Sequence, residues 1–288
     1  MHAFATLRQI PLLLGLAACA EAPLVDDAAQ LERLGEGFGF TEGPTVLADG
    51  SLRFTDLRTH KIWQWSPATG ITLWRADSGG ANGLFATADA LYVCEGARRR
   101  VTRIRADGTT AVLSDGFAGK RLNSPNDLWV DAQGGVWFTD PRYGARGDLE
   151  QPGEHVYHVG TDGRTRRVVS DLVRPNGIVG TPDGTRLYVA DEGGGRVWTW
   201  RIVGPGELQE PRVFATTRSD GICLDARGNL YVTDRAVKIY SPAGVLLRTI
   251  ATPFAPTNVC FGGPDRRTLF VTGGGFLHAL RMHVRGVE

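Results

Sequence analysis

The chain has 288 residues and a formal net charge of +1, with 32 basic against 31 acidic side chains. This balance argues against nucleic acid or an anionic membrane surface as a partner. Glycine is frequent, at 38 residues, and 15 prolines accompany it, which favours a turn-rich all-β protein. All-β chains of this length often form one domain, and the four cysteines show no zinc-binding or disulfide spacing.

Residues 1–22 are predicted to be an export signal. Arg8 supplies a positive charge, and a short apolar stretch ending at Ala18 is followed by small residues. The segment Leu16-Ala17-Ala18-Cys19 resembles a bacterial lipoprotein processing box, which would make Cys19 a lipidated first residue. The apolar stretch is too short to span a bilayer. We therefore expect a periplasmic or lipid-anchored protein; the alternative is an ordinary N-terminal helix or a misplaced start codon, with a cytoplasmic location.

After this leader, one pattern recurs six times along residues 30–288. It consists of a turn with Asp or Gly and a short β-rich segment that often ends in Thr-Asp, as in Leu230-Tyr231-Val232-Thr233-Asp234. The β-rich segments begin at residues 52, 91, 136, 187, 230 and 269, so they are separated by 39, 45, 51, 43 and 39 residues. This spacing is typical of the blades of a β-propeller, with four short strands per repeat. The sequence therefore predicts an all-β, six-bladed β-propeller in a single domain.

The sixth repeat ends near Leu280, soon after its third strand. The missing strand can come from the N-terminal side of the propeller, around Leu31 to Phe38. Such a strand would close the ring and leave no free sheet edge.

Each repeat also opens with a polar residue at the start of its first strand. In a propeller this first strand is the innermost, so the six polar side chains are expected to meet at one mouth of the central channel. The six positions are Glu42, Asn82, Asn126, Asn176, Asp220 and Thr257. Asn-Gly and Asp-Gly pairs are also common turn formers, which is the simpler explanation for any one of them.

Four of the six, Glu42, Asn126, Asn176 and Asp220, carry carboxylate or amide oxygens. Two charges and two neutral oxygens make a hard-oxygen site that suits Ca²⁺, with Mg²⁺, Mn²⁺ or Zn²⁺ as other occupants. We therefore predict a divalent-cation site in the central channel. No role is predicted for Asn82 or Thr257.

Several motifs resemble those of the gluconolactonase, regucalcin and luciferin-regenerating-enzyme family (the senescence-marker-like propellers). They are Glu42-Gly43-Pro44, the segment from Arg121 to Leu128, Trp137-Phe138-Thr139-Asp140-Pro141, Arg174-Pro175-Asn176-Gly177 and Ser219-Asp220-Gly221. The resemblance implies one catalytic divalent cation on the same four residues, and it implies substrate contacts for Arg121 and Asn123. Many members have Pro where this chain has Ser219.

The resemblance implies a metal-dependent hydrolase that opens a sugar lactone, with gluconolactone as the example. The chain contains no Gly-x-Ser-x-Gly segment, which argues against a serine hydrolase. Asp220 is the predicted catalytic base and Asp127 is the alternative. Two other functions stay open: a promiscuous arylesterase or organophosphate hydrolase at the same site, and a non-catalytic propeller that binds a ligand at its mouth. A monomer is favoured over an oligomer.

Overall fold

The structure is a computed structural model that describes residues 22–287. The predicted leader, including Cys19, lies outside the described residues except for Ala22. Within residues 22–287 the regular structure is entirely β, and no helix there is long and apolar enough to cross a membrane. Six four-stranded antiparallel sheets and one two-stranded hairpin make up the fold. The predicted six-bladed propeller is thereby confirmed.

Twenty-six strands are numbered in chain order. Those of the first half are β1 (Glu32–Glu36), β2 (Thr41–Val46), β3 (Leu52–Asp56), β4 (Lys61–Ser66), β5 (Gly70–Arg75), β6 (Ala81–Ala86), β7 (Ala90–Glu95), β8 (Arg100–Arg105), β9 (Thr110–Ser114), β10 (Gly116–Phe117), β11 (Lys120–Arg121), β12 (Leu128–Val130) and β13 (Val136–Asp140). Those of the second half are β14 (His155–Val159), β15 (Thr165–Val169), β16 (Pro175–Gly180), β17 (Arg186–Asp191), β18 (Arg196–Gly204), β19 (Glu207–Ala215), β20 (Ile222–Leu224), β21 (Leu230–Thr233), β22 (Val237–Tyr240), β23 (Leu246–Ile250), β24 (Asn258–Gly262), β25 (Thr268–Gly273) and β26 (Phe276–Arg281).

Five blades are continuous in sequence. They are β2–β5, β6–β9, β12–β15, β16–β19 and β20–β23, called blades one to five. Their innermost strands are β2, β6, β12, β16 and β20, and each contacts the innermost strands of its neighbours. The repeated β-rich segment of the sequence is the second strand of each blade.

The sixth blade confirms the predicted closure. It combines β24, β25 and β26 with β1, which pairs antiparallel with β26 from Glu32 opposite Ala279 to Glu36 opposite Phe276. One blade is thus built from both ends of the propeller. Because β1 is the outermost strand of this sheet, pairing of Glu32–Glu36 ties the start of the propeller to its last repeat.

The core lies between blades, where apolar side chains of adjacent sheets pack face to face. Trp137, Tyr157, Tyr231 and Phe54 are among the largest side chains that are fully buried. Burial of such side chains contributes about 2–3 kcal/mol each. A rigid stack of blades of this kind can hold the polar residues at the channel mouth in fixed positions.

The hairpin β10–β11 was not predicted. Its turn residues Ala118 and Gly119 both have positive φ, at 53° and 76°, which is the backbone of a tight type I′ hairpin turn. The hairpin lies between blades two and three and carries Arg121 on its second strand.

Candidate active site at the channel mouth

The six predicted polar residues occupy equivalent places at the start of the innermost strands. Glu42, Asn82 and Asn176 lie in the first two positions of β2, β6 and β16, and the other three lie one or two residues before β12, β20 and β24. Because the innermost strands contact one another in a closed ring, all six residues lie around the channel axis at one mouth.

The six polar residues at the mouth are called the axial residues. Threonines of the repeated Thr-Asp motif connect them from blade to blade. The hydroxyl of Thr139 donates to the backbone carbonyl of Asn176 at 2.7 Å, and that of Thr55 donates to the carbonyl of Asn82 at 3.0 Å. Thr233 reaches the carbonyl of Thr257 in the same way, at 2.9 Å. A hydrogen bond made in the buried interior is both stabilising and directional. The motif therefore positions the axial residues of the following blade.

The aspartate of the same motif fixes the loop that enters the innermost strand. Asp140 accepts the backbone N–H groups of Asn123 and Ser124, each at 2.7 Å. Asp56 does the same for Gly39 and Phe40 at 3.0 Å. These loops lead directly to Asn126 and Glu42, so the aspartates set the path of the chain into the mouth.

Two of the axial residues are carboxylates that lie close enough to affect each other's ionisation. Burial, followed by the charge of Asp220, raises the pKa of Glu42 well above its usual value. Burial also raises the pKa of Asp220 to about 7; a hydrogen bond from Asn176 opposes this shift, and the charges of Asp127 and Glu192 add to it. No lysine or arginine is among the groups that shift either pKa. Two mutually repelling carboxylates, one buried and one half-buried, without a basic partner among the described residues favour a bound cation.

The donor set at the mouth fits a divalent cation that prefers oxygen. Glu42 and Asp220 supply carboxylates, and Asn126 and Asn176 supply amide oxygens. Within residues 22–287 no three His, Cys, Asp or Glu side chains gather in a metal-binding group. A cation site here therefore depends on the amide oxygens of Asn126 and Asn176 as well as on the two acids.

Two cavities open at the mouth, and Tyr143 lines both. One has a volume of about 390 Å³ and is lined by Asn176, Asp220 and Thr257 among others. The other has a volume of about 280 Å³ and is lined by Asn82 and Asn126. Tyr143 lies between them on the long loop after β13, and its hydroxyl accepts a hydrogen bond from the Nδ2 of Asn176 at 2.7 Å. Although 47% of Tyr143 is exposed, desolvation of its hydroxyl, followed by the charge of Asp220, raises its pKa, so the hydroxyl is uncharged at neutral pH.

Tyr143 was missed by the sequence reasoning, although a signal for it exists. The longest spacing between repeats, 51 residues, falls between the third and fourth. The extra residues form the loop 141–154 over the mouth. Long loops within a compact repeat fold are often functional.

The rim of the larger cavity carries a pair of opposite charges. Arg218 donates to Glu192, and Arg174 lies 3.6 Å from the same carboxylate. The guanidinium of Arg174 also lies over the ring of Tyr143, 5.7 Å from its centroid. Because Arg218 is largely exposed, this pair contributes little to stability and can rearrange when a polar ligand enters.

The two predicted substrate contacts, Arg121 and Asn123, do not line the mouth cavities. The side chain of Arg121 is 61% exposed and its Nε pairs with Glu150 at 2.5 Å. Asn123 is fully buried, and its Nδ2 donates to the carbonyls of Asp140 and Gly153. Asn123 holds the loop in place, and a substrate contact for either residue stays a prediction.

The two axial residues without a predicted role differ from each other. Thr257 donates its hydroxyl to the carbonyl of Thr41 at 2.8 Å, which joins blade six to blade one. The Oδ1 of Asn82 is buried and accepts no hydrogen bond from the described residues, although Asn82 lines the smaller cavity. Thr257 is therefore structural, whereas Asn82 places an unpaired acceptor at the mouth.

Comparison with known proteins is consistent with this arrangement. Residues 40–275 match the family described as the SMP-30/Gluconolactonase/LRE-like region. The chain is 28% identical to a gluconolactonase of Zymomonas mobilis, over 86% of this chain and 80% of that protein. It is 27% identical to a diisopropyl-fluorophosphatase of Loligo vulgaris, over 64% of this chain and 65% of that protein.

Superposition on a solved structure also relates the chain to a gluconolactonase. The gluconolactonase structure from Xanthomonas campestris superposes with a TM-score of 0.83 at 32% identity, covering 90% of this chain and 91% of that one. The family match spans most of the chain, including all six axial residues. The chain therefore belongs to the SMP-30/gluconolactonase/LRE-like family, as its motifs predicted.

Proposed function

We propose that this protein is a divalent-cation-dependent lactonase that hydrolyses a sugar lactone. The observation that carries the proposal is the pair of carboxylates, buried Glu42 and half-buried Asp220, which lie with Asn126 and Asn176 around the channel mouth and have no basic partner within residues 22–287. The gluconolactonases among its relatives support the same reaction class. The larger cavity, of about 390 Å³, is of a size that suits a small sugar derivative.

Glu42, Asn126, Asn176 and Asp220 would hold one cation, and Ca²⁺ fits an all-oxygen set best, with Zn²⁺, Mn²⁺ or Mg²⁺ as alternatives. When bound, such an ion supplies a Lewis acid that stabilises negative charge on the lactone carbonyl oxygen. Proton transfer and orientation of the substrate are proposed to be carried out by the side chains of Asp220 and Tyr143.

Asp220 is the proposed general base. It lines the larger cavity, so its carboxylate can reach a water molecule beside the lactone and accept a proton from it. Hydrolysis adds the water oxygen to the acyl carbon and breaks the ring C–O bond, and the proton held on Asp220 can pass to the ring oxygen that leaves. Asp127 lines only the narrow channel interior, which supports Asp220 over Asp127.

Tyr143 is proposed to orient the substrate. Since its hydroxyl oxygen accepts from Asn176, its own hydrogen is left to donate towards a ligand. An uncharged donor at the edge of the cavity can bind the hydroxyl groups or the carbonyl oxygen of a lactone.

The proposal is tested by hydrolysis of a lactone panel, with gluconolactone first, before and after chelation. We expect turnover that EDTA removes and that Ca²⁺, Zn²⁺ or Mn²⁺ restores. Asp220→Ala should lower kcat by at least about 10²-fold while the protein stays folded. The absence of any cation-stimulated lactone turnover would exclude the enzyme, and full activity in Asp220→Ala would exclude Asp220 from the site.

Two other functions are separated by the same panel. Hydrolysis of an aryl ester or an organophosphate in preference to every lactone would favour a promiscuous arylesterase or organophosphate hydrolase. The similarity to the diisopropyl-fluorophosphatase of Loligo vulgaris is the reason to include an organophosphate. Saturable lactone binding without turnover at any cation concentration would favour a ligand-binding propeller.

We also propose that the protein is exported to the periplasm and acts there as a monomer, either free or anchored by a lipid on Cys19. Mass spectrometry of the mature N-terminus tests the export and the anchor, and size-exclusion chromatography with light scattering tests the monomer. A diacylglycerol-modified Cys19 would support the anchor, a chain cleaved nearby without lipid would support a free periplasmic protein, and an intact leader on protein from the cytoplasm would contradict both.

A further inference from the structure

The residue that directly follows each of the six axial residues shows an unexpected asymmetry. Four blades have glycine there: Gly43, Gly83, Gly177 and Gly221. The other two have Asp127 and Asn258. A Cβ on Gly83 would lie 2.4 Å from the carboxylate of Asp127, and one on Gly221 would lie 2.1 Å from the amide of Asn258. The glycines therefore leave the space that two polar side chains occupy inside the channel.

Asn258 is 5% exposed, and both the oxygen and the nitrogen of its side-chain amide form hydrogen bonds. Its Oδ1 accepts the backbone N–H of Val259 at 2.8 Å, which sets the orientation of the amide. Its Nδ2 then donates to Oε2 of Glu42 at 3.2 Å, and the amide also opposes the rise that burial causes in the pKa of Asp127. The hydrogen bond from this neutral amide thus forms a bridge from blade six to a buried acid of blade one.

The bridge selects which oxygen of Glu42 faces the channel interior. The two hydrogen bonds to this carboxylate within the described residues, from the backbone N–H of Gly43 at 2.7 Å and from Asn258, both reach Oε2. A carboxylate with one oxygen held in this way cannot rotate freely, so its other oxygen, Oε1, keeps one direction.

We propose that Asn258 is a positioning residue: its amide holds Oε2 of Glu42 inside the channel and thereby leaves Oε1 as the cation-binding oxygen at the mouth. This inference rests on the proposed function, because it assigns a role towards the cation. Residues that hydrogen-bond a metal ligand typically affect metal affinity by about 10- to 100-fold.

Calorimetric titration of the full chain with CaCl₂, after removal of bound ions with EDTA and dialysis, tests the proposal. Asn258→Leu keeps a similar side-chain volume and removes both donors. We expect its Kd for Ca²⁺ to rise by about 10- to 100-fold. The readout is cation binding itself, so it does not depend on activity.

Asn229 provides a matched control. It is also buried, at 4% exposure, and its Nδ2 donates to an acid, Asp225, at 2.8 Å, but it lies in the turn after β20, at the far end of that innermost strand from the mouth. Asn229→Leu should lower the unfolding temperature and leave the Kd for Ca²⁺ unchanged. The pair therefore separates a general loss of stability from a specific effect on the cation.

If Asn258→Leu does not fold, Asn258→Ser replaces it, because serine retains one donor in a smaller side chain; a Kd raised several-fold is expected. A folded Asn258 variant with the wild-type Kd would overturn the positioning role alone. A wild-type protein that binds no Ca²⁺, Mg²⁺, Mn²⁺ or Zn²⁺ would overturn the proposed function and this inference with it.

Discussion

At the scale of single residues, the chemistry of the mouth depends on some groups that the repeat pattern of the sequence reveals and on others that it does not. Glu42 and Asp220 stand out because they are acids at a repeat position where amides and a threonine also occur. Tyr143 and Asn258 carry no such signal, because neither lies at that position. Their importance comes from contacts: Tyr143 accepts from Asn176, and Asn258 donates to Glu42.

Tyr143 is expected to affect substrate handling more than stability. Tyr143→Phe keeps the ring between the two cavities and removes the hydroxyl, so kcat/KM for a lactone should fall about tenfold, which corresponds to one lost hydrogen bond. Tyr143→Ala would join the two cavities and should raise KM further. Steady-state kinetics on the lactone panel measure both effects.

Tyr240→Phe is the control for this substitution. Tyr240 is buried near the far end of blade five, so its loss of a hydroxyl should leave kcat/KM unchanged. If Tyr143→Phe retained wild-type kcat/KM on every lactone that is turned over, the hydroxyl would have no part in substrate binding.

At the scale of elements, the strand pattern was predictable because each blade repeats the same local rules. Polar turns alternate with short β-branched and aromatic strands, and this pattern needs no tertiary information. The hairpin β10–β11 escaped prediction because its two strands have only two residues each. A segment that short shows no alternation, and only its turn conformation defines it.

The closing strand β1 is expected to be essential for stability. A chain that starts at Phe38 lacks β1 and leaves β26 as an unpaired edge, which also exposes the apolar side of blade six. Its unfolding temperature should be lower by at least about 5 °C, because each 1 kcal/mol corresponds to about 2–4 °C in a domain of this size. Thermal unfolding followed by circular dichroism measures the change.

The reference for this comparison is a chain that starts at Ala22, which keeps every described contact of the N-terminal segment, including the bond from Arg227 to the carbonyl of Ala22. Equal unfolding temperatures for the two chains would show that β1 does not close the ring in solution.

At the scale of the whole molecule, the ring of six blades brings two acids, Glu42 and Asp220, to one mouth of the channel, and this affects the pH dependence of stability. In the cation-free protein burial raises the pKa of Asp220 to about 7, above its value of about 4 in an unfolded chain. The folded state therefore binds this proton more tightly than the unfolded state does, so the contribution of Asp220 to stability is fully present below about pH 4 and is lost as the pH rises to above 7.

We therefore expect EDTA-treated protein to lose about 2 kcal/mol of stability between pH 5 and pH 8, or about 4–8 °C in unfolding temperature. Excess Ca²⁺ should remove most of this loss, since a bound cation offsets the repulsion between the acids. Asp220→Asn should flatten the pH dependence in EDTA. An EDTA-treated wild-type protein whose stability rose over this range would contradict the predicted direction.

The sequence by itself determined the six-bladed all-β architecture, the closure of the last blade by Glu32–Glu36, the register of the axial residues and the family. All of these follow from a repeat with regular spacing, and a repeat is visible without coordinates. It also proposed the set Glu42, Asn126, Asn176 and Asp220, which stays a prediction until a cation is measured. Only the tertiary structure decided that Asn123 is buried while Arg121 pairs with Glu150, that Tyr143 lines both cavities at the mouth, and that Asn258 donates a hydrogen bond to Glu42. The physical reason is that these roles depend on which side chains meet across the channel, between blades far apart in sequence.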